Sequence, residues 1–587
     1  MEDEMAKNKH SCNSCVLPML GVFDEGFTQF KPKTNAPEKD NNAPVKIYTA
    51  KNILTMNPLQ PNATAVAVSN GLIYAIGELK HLTEGLDKAK RTYEIDDQFK
   101  QANILPGFIE AHCHIILIGL FWQWTYLGIE PRTNPEGKLV GGFKTKEAAL
   151  KGLQEAFKSH QDKNTFFAWG YDPSILDGFP ILTRQDLDTV SSTTPIVVMN
   201  TSGHIGYANS AALSAVNFSK ETNIPGVTKD KQGELNGELK EMAALTPVFD
   251  KLLSIDFKLM EKAMQDAAKT AQKKGCTTIS ELALGYIPHS WDALNSVIDN
   301  PSSPVRVSAY PLDDVVRNVG INALKQHMQN NNDRLRIAGV KFVADGSIQG
   351  YTANMKWPYY YDGTANGMSN IKNDEYKALF LELHKAGIQT ATHVNGDEAL
   401  QEVMDMMEDV LSTFPRNDHR HRLEHCQLPS QENLASMKKF DILPNFFTNH
   451  IYYWGTFHRE HSVGPDRVEH MDPVQSAKKL GIRFSLHSDA AITPLDPLKM
   501  VWIAAKRQTI DTGTTLGKNE CLSVEDGLRA ITIDAAYLLN EDETKGSIEI
   551  GKFADFAILD KDPLKVKTDD LLKINVLATM CAGNIFR

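Results

Sequence analysis

Between residues 275 and 489 the chain repeats one pattern: a short apolar run that ends in polar residues, followed in most cases by a helical stretch. The runs are GCTTISELAL, LRIAGVKFVADG, IQTATHVNG, HRLEHCQL, FDILPNFFT and GIRFSLHSD. Parallel strands need a long crossover between them, usually a helix, so this alternation predicts a parallel sheet with helices outside it. The number of units favours a closed barrel, an α/β fold, over an open sheet. In such a barrel active sites gather at the carboxyl ends of the strands, and the polar residues of these runs fall there.

The flanks have a different character. Residues 1–42 are polar, with Pro and Asn in TNAPEKDNNAP, and read as a poorly ordered N-terminal arm. From residue 43 to 104, KIYTAKNILTM and TAVAVSNGLIYAIG are β-branched and aromatic runs, the second broken by Asn70-Gly71, a hairpin signal. KGSIEIGKFADFAILD and INVLATMCAGNIF, in the stretch 546–587, match them. Both ends therefore predict β structure around a barrel of residues 105–545. An insertion over about 119–250, rich in aromatics and loops, interrupts the early barrel and predicts a cap.

A chain of 587 residues with 42% hydrophobic side chains can fill a large core. Its formal net charge of -11, with no Lys/Arg-rich run, repels nucleic acid and anionic membrane and leaves a small molecule as the expected partner. No window has the unbroken apolar length of a membrane span, and the acidic start with Pro18 in its short apolar patch argues against a signal peptide. Seven scattered cysteines, an odd number, do not make a disulfide framework, which favours the cytoplasm. His10, Cys12 and Cys15 lack a second pair of zinc ligands nearby and read as part of a reduced tail.

The stretch ILPGFIEAHCHI ends an apolar run with two imidazoles. On an extended strand His112 and His114 point to one side and Cys113 to the other, so the pair can grip one metal ion. Alone, the pair could as well be one hydrogen-bonded and one solvated histidine. His393 in TATHVNG, His425 in HRLEHCQL and Asp489 in FSLHSDA also stand at strand ends, which a barrel would bring to one rim. Lys341, in the apolar run GVKFVADGS, is costly there unless its head reaches water or an acid such as Asp345.

Six ordered motifs, LPGFIEAHCH, VKFVADGS, THVNGD, HRLEH, HSDA and GSIEIGKFADFAILD, resemble the metal-dependent amidohydrolase superfamily. The likeness is to its YtcJ-like branch, which includes N-substituted formamide deformylases, and covers residues 43–587. It implies a (β/α)8 barrel plus a small β-sandwich made from both chain ends. It also implies two divalent ions per chain, zinc before manganese or iron, with His112, His114 and Asp489 on one and His393 and His425 on the other. Lys341 looks like the lysine that related binuclear enzymes carbamylate to bridge the pair. Two such ions acidify a shared water and polarise a carbonyl, and Asp489 would serve as general base and then acid.

In the insertion, WGYDPSIL and SGHIGYANSAAL resemble motifs of the branch, which points His204 toward substrate, although His204 could equally cap a turn. Asp345 either shapes the pocket floor or closes a turn. Trp122, in LFWQWTY, and the aromatics of NHIYYWGTFH follow strand ends, either as core or as a wall for an apolar or aryl substituent. Glu110 and Glu281 stand where the branch usually has Asp, and both keep a carboxylate able to support the ligands. The expected function is hydrolysis of an amide or N-substituted formamide C–N bond in a small molecule, and a homodimer is compatible with it. The rivals are a one-metal deaminase or cyclohydrolase acting on a C=N bond and a non-catalytic scaffold.

Overall fold

The computed structural model describes residues 43–160, 164–285 and 287–587. The N-terminal arm and its Cys12/Cys15 pair lie outside the described residues. Four parallel strands, Phe108–Glu110, Cys276–Leu284, Arg306–Pro311 and Leu335–Ile337, pair in that order. Gly339–Val343, Gln389–Val394, Arg422–His425, Leu443–Phe446 and Ser485–Leu486 form a second parallel sheet, also in chain order.

The two sheets are joined at both edges. Ala338 alone separates Leu335–Ile337 from Gly339–Val343, and Leu312 makes a parallel bridge to Lys341. At the opposite edge the Asp489 N–H donates to the His112 carbonyl at 3.2 Å and the His114 N–H donates to the Ala490 carbonyl at 2.6 Å. Ile109, Leu282 and Tyr310 from one sheet and Ala391 from the other share a buried cluster with Ala535, Ala536 and Leu539.

Helices cover these sheets. Phe257–Lys273 buries Met260, Ala263, Met264, Ala267 and Ala271, the i, i+3, i+4 spacing of one helical face, and the Asp256 side chain caps it by accepting from the Leu259 N–H at 2.7 Å. That face meets the short helix Ile115–Phe121, which starts immediately after His114. The two approach so closely at Gly119 that a Cβ there would lie 2.0 Å from the Ala263 carbonyl oxygen.

Both chain ends contribute to one eight-stranded sheet, in which Phe556–Leu559 runs antiparallel to Asn103–Pro106. Asn70 and Gly71, at φ 52° and 72°, make the tight turn between Asn62–Ser69 and Leu72–Gly77. Left-handed backbone at both positions suits Asn-Gly and few other pairs. The insertion carries more regular structure than its loops and aromatics suggest: six strands between Thr125 and Lys240 form a mixed sheet of their own. Its central strands, FFAWGY and IVVMN, are buried at every position and largely apolar because both faces are covered. No described helix is long and apolar enough to cross a membrane.

Candidate metal centre

The regular strand stops at Glu110, two residues before the first histidine. His112 and His114 therefore lie beyond the strand on which the sequence pattern puts them, in a segment held between Asp489–Ala490 on one side and Leu282 on the other, whose N–H donates to the Cys113 carbonyl. The alternation of sides persists. Both Nε2 atoms sit 3.2 Å from Asp489 Oδ1, while Cys113 Sγ turns away toward the Ser280 carbonyl at 3.0 Å. Asp489 has φ 51° and His425 φ 65°, backbone that a non-glycine residue keeps only when its surroundings enforce it.

Buried carboxylates orient this pair. Glu424 Oε2 lies 2.6 Å from His112 Nδ1 and accepts from Asn445 Nδ2 at 2.7 Å, while its other oxygen pairs with Arg422 Nε at 2.8 Å. Burial alone would raise the Glu424 pKa, but Arg422 and His112 hold it far below the usual carboxylate range. With an anion on Nδ1, that nitrogen carries the proton and Nε2 is left to face Asp489. Glu281 accepts from the Ile116 and Ala283 N–H groups and stands 3.7 Å from His114 Nδ1. Glu110 accepts from both the N–H and the hydroxyl of Ser488, next to Asp489, and burial pushes its pKa up to about 8. Both glutamates thus brace the segments that carry the histidine pair and Asp489.

Two further imidazoles close the centre. His425 lies with its ring 4.8 Å from that of His112, and His487 stacks on His112 at 4.6 Å. His393 packs against His425 at 4.5 Å. One ligand atom each from His112, His114 and Asp489 falls within 4.8 Å of the others, and so does one each from His112, His425 and His487. His487 was not among the candidates from sequence, although it stands two residues before Asp489, the same i, i+2 spacing that singled out His112 and His114. Lys341 is fully buried in the same region and its charge bears on His393, Glu424 and His487.

The donor set suits a divalent cation. His112 Nε2, His114 Nε2, both ring nitrogens of His425 and of His487, and Asp489 Oδ1 are buried and make no hydrogen bond among the described residues. Leaving such an atom without a partner costs about 1–3 kcal/mol, and each of these residues has one ligand atom within 4.8 Å of two others. Three of the imidazoles are in the state that a ligand needs. Burial lowers the pKa of His393, and those of His425 and His487 further still, so these rings stay neutral and keep a lone pair. Burial works against the Asp489 carboxylate, but His112 and His114 outweigh it and hold its pKa far below normal. Burial also opposes a charge on His114, yet the Asp489 and Glu281 carboxylates lift its pKa to about 9.

The remaining expected residues lie around this core. Asp345 accepts from the N–H groups of Asn354, Asn395 and Gly396, at 3.0, 3.0 and 2.7 Å, and stands 3.2 Å from His393 Nε2. It therefore fastens the strand end that carries His393. His204 lies 3.2 Å from Glu241, in the turn between two cap strands, and its neighbour Gly203 faces Ile492 beside the Asp489 segment. Trp122 lines a cavity behind that segment. Phe447 stacks on His487 at 4.8 Å, and Trp454 donates its indole N–H to Asp172 of the cap at 3.0 Å.

The model of the amidohydrolase family matches residues 100–587, a stretch that contains every group of this centre. The chain belongs to the amidohydrolase family. Within reach of it are YtcJ of Bacillus subtilis (strain 168), 26% identical over 554 residues, covering 91% of this chain and 97% of that protein. The N-substituted formamide deformylase of Arthrobacter pascens is 24% identical over 557 residues, covering 91% and 96%. Among solved structures, an uncharacterized metal-dependent hydrolase from Pyrococcus horikoshii OT3 superposes with a TM-score of 0.71 at 21% identity, covering 89% of this chain and 99% of that one.

Proposed function

We propose that this amidohydrolase cleaves a C–N bond, in an amide or an N-substituted formamide, of a small molecule. The observation that carries the reading is the convergence of His112, His114, His425, His487 and Asp489, each with a buried donor atom that finds no hydrogen bond among the described residues. His112, His114 and Asp489 would hold one ion, and His393 and His425 a second, with a carbamate on Lys341 between them. Such a pair, zinc before manganese or iron on its mixed nitrogen and oxygen donors, supplies Lewis acidity and a water acidified toward neutrality. Glu424 keeps the His112 Nε2 lone pair aimed inward, and Glu281 keeps His114 in place. Asp489, held ionised, accepts a proton at its carboxylate and returns it to the leaving nitrogen. Phe447 and the cap offer an apolar wall for the substituent. The two joined parallel sheets are read as one (β/α)8 barrel over 105–545, with 43–104 and 546–587 as its β-sandwich and 119–250 as the cap. The edge hydrogen bonds and the shared interior cluster support that architecture.

A one-ion reading has its own support: the two donor sets have His112 in common. That favours a mononuclear deaminase or cyclohydrolase acting on a C=N bond. Metal content per chain, together with the intact mass at Lys341, separates the two. The activity test is release of formate and benzylamine from N-benzylformamide by metal-loaded protein. The Asp489→Asn variant is expected to lose about 10²–10⁴-fold in turnover. Undiminished turnover in that variant would remove Asp489 from proton transfer.

A further inference from the structure

Behind the segment that follows Asp489 lies a cavity of about 150 Å³, bounded by Ala490, Ala491 and Leu495, by Ile118 and Trp122, and by Trp169 of the cap. None of the imidazoles of the metal centre lines it. Its charged walls are Glu130, Arg132, Lys274, Asp496 and Lys499. The two acids are already engaged: Asp496 with Lys274 at 2.6 Å, and Glu130 with both Lys499 and the Tyr453 hydroxyl. Arg132 has no carboxylate partner among the described residues. Its Nη1 and Nη2 donate to the carbonyls of Ala491 at 2.9 Å and Ile492 at 3.1 Å, and its guanidinium lies 5.0 Å from the ring centres of Tyr126 and Trp169. Its Nε is buried without a hydrogen bond among the described residues. In a chain of net charge -11 this wall, three cations to two paired acids, runs against the overall field.

We propose that this cavity is a binding site for a small carboxylate with a flat apolar body, and that Arg132 relays its occupancy to Asp489. The size suits a ring and one acid group: a dry cavity of about 150 Å³ accepts benzene, and the volume falls below the ~300–1,000 Å³ of drug-sized sites. Trp122 and Trp169 face the body, and the unpaired charge of Arg132 selects the acid. The relay is short. Arg132 holds the carbonyls of residues 491 and 492, and the Ile492 N–H donates to the Asp489 carbonyl at 2.7 Å. A carboxylate that draws the guanidinium toward itself loosens this strap.

Benzoate titrated into metal-stripped protein, followed by calorimetry and tryptophan fluorescence with benzyl alcohol as the uncharged comparator, tests the site without any activity assay. Benzoate is expected to bind saturably and at least tenfold tighter than benzyl alcohol, with Arg132→Met bringing the two level. Trp122→Leu is expected to weaken both ligands while benzoate keeps its advantage. Saturating benzoate is further expected to shift metal affinity in the wild type and not in Arg132→Met. Equal binding of the two probes, binding seen only in metal-loaded protein, or benzoate affinity unmoved in Arg132→Met would each overturn the proposal. None of these outcomes bears on whether the metal centre hydrolyses amides.

Discussion

At the residue scale the centre depends on groups that never touch the substrate. Glu424→Gln removes the anion that fixes the His112 tautomer and leaves Arg422 buried beside a neutral amide. The expected outcome is about 10–100-fold weaker metal binding, measured by chelator competition. Affinity equal to wild type would show that His112 needs no carboxylate behind it. His114 gives a pH prediction of definite sign. Its pKa in the metal-free chain is lifted to about 9, so at neutral pH an incoming cation must displace a proton. Metal affinity should therefore rise by about tenfold per pH unit up to about pH 9, then level off. A flat profile between pH 6 and 8 would contradict it. His112, His114, His393, His425 and Asp489 were legible in sequence because each sits at the end of an apolar run. Glu424 was not, since a carboxylate between a strand's Leu423 and a ligand histidine carries no local mark. Its role exists only once Arg422, Asn445 and His112 surround it.

At the element scale the helix Ile115–Phe121 carries His114 at its N-terminus and is held against Phe257–Lys273 through Gly119. Gly119→Ala puts a Cβ against backbone, which cannot rotate away, and should cost about 1–3 kcal/mol in urea denaturation. An unchanged midpoint would show that the helices part without penalty. A second site of strain in acid lies at the start of Arg422–His425. His384 Nδ1 meets His421 Nε2 at 2.9 Å, and His421 Nδ1 faces the N–H and hydroxyl of Thr390. Burial lowers the pKa of His384 and His419, and that of His421 furthest. Below the unfolded value of about 6.5 the unfolded chain binds more protons than the native one, so stability is full above that pH and falls below it. Between pH 7.5 and pH 5.5 the denaturation midpoint of the wild type should fall relative to that of His421→Asn. An identical pH dependence in the two proteins would refute the assignment. Local pattern announced the strands and the Asn70-Gly71 turn, because period and turn chemistry are nearest-neighbour properties. It missed the sheet within the insertion, where FFAWGY and IVVMN, apolar on both faces, lack the alternation that marks a half-buried strand.

At the scale of the whole molecule, one buried ion pair ties the sheet built from the chain ends to the parallel sheets. Arg306 donates from Nε to Asp555 Oδ2 at 2.7 Å and from Nη2 to Oδ1 at 3.2 Å, and the Ala582 N–H donates to the same carboxylate. Asp555→Asn leaves Arg306 with only the half-exposed Asp333 carboxylate, 3.0 Å from Nη1, and should destabilise the protein by up to about 3–5 kcal/mol, whereas Arg306→Met with Asp555→Leu should cost less. Equal losses in the single and double variants would mean that the pair itself, and not the stranded charge, sets the cost. By itself the sequence determined the parallel pairing of the strands in chain order, the β character of both ends, and which imidazoles were eligible to meet. These follow from periodicity, strand-end placement and crossover length, all short-range quantities. Only the tertiary structure decided that His487 joins the cluster, that Glu424 stands behind His112, and that Arg132 of the cap reaches the segment beside Asp489. Those contacts join residues tens to hundreds of positions apart, and no local propensity records a distance that is set by how the sheets and the cap pack.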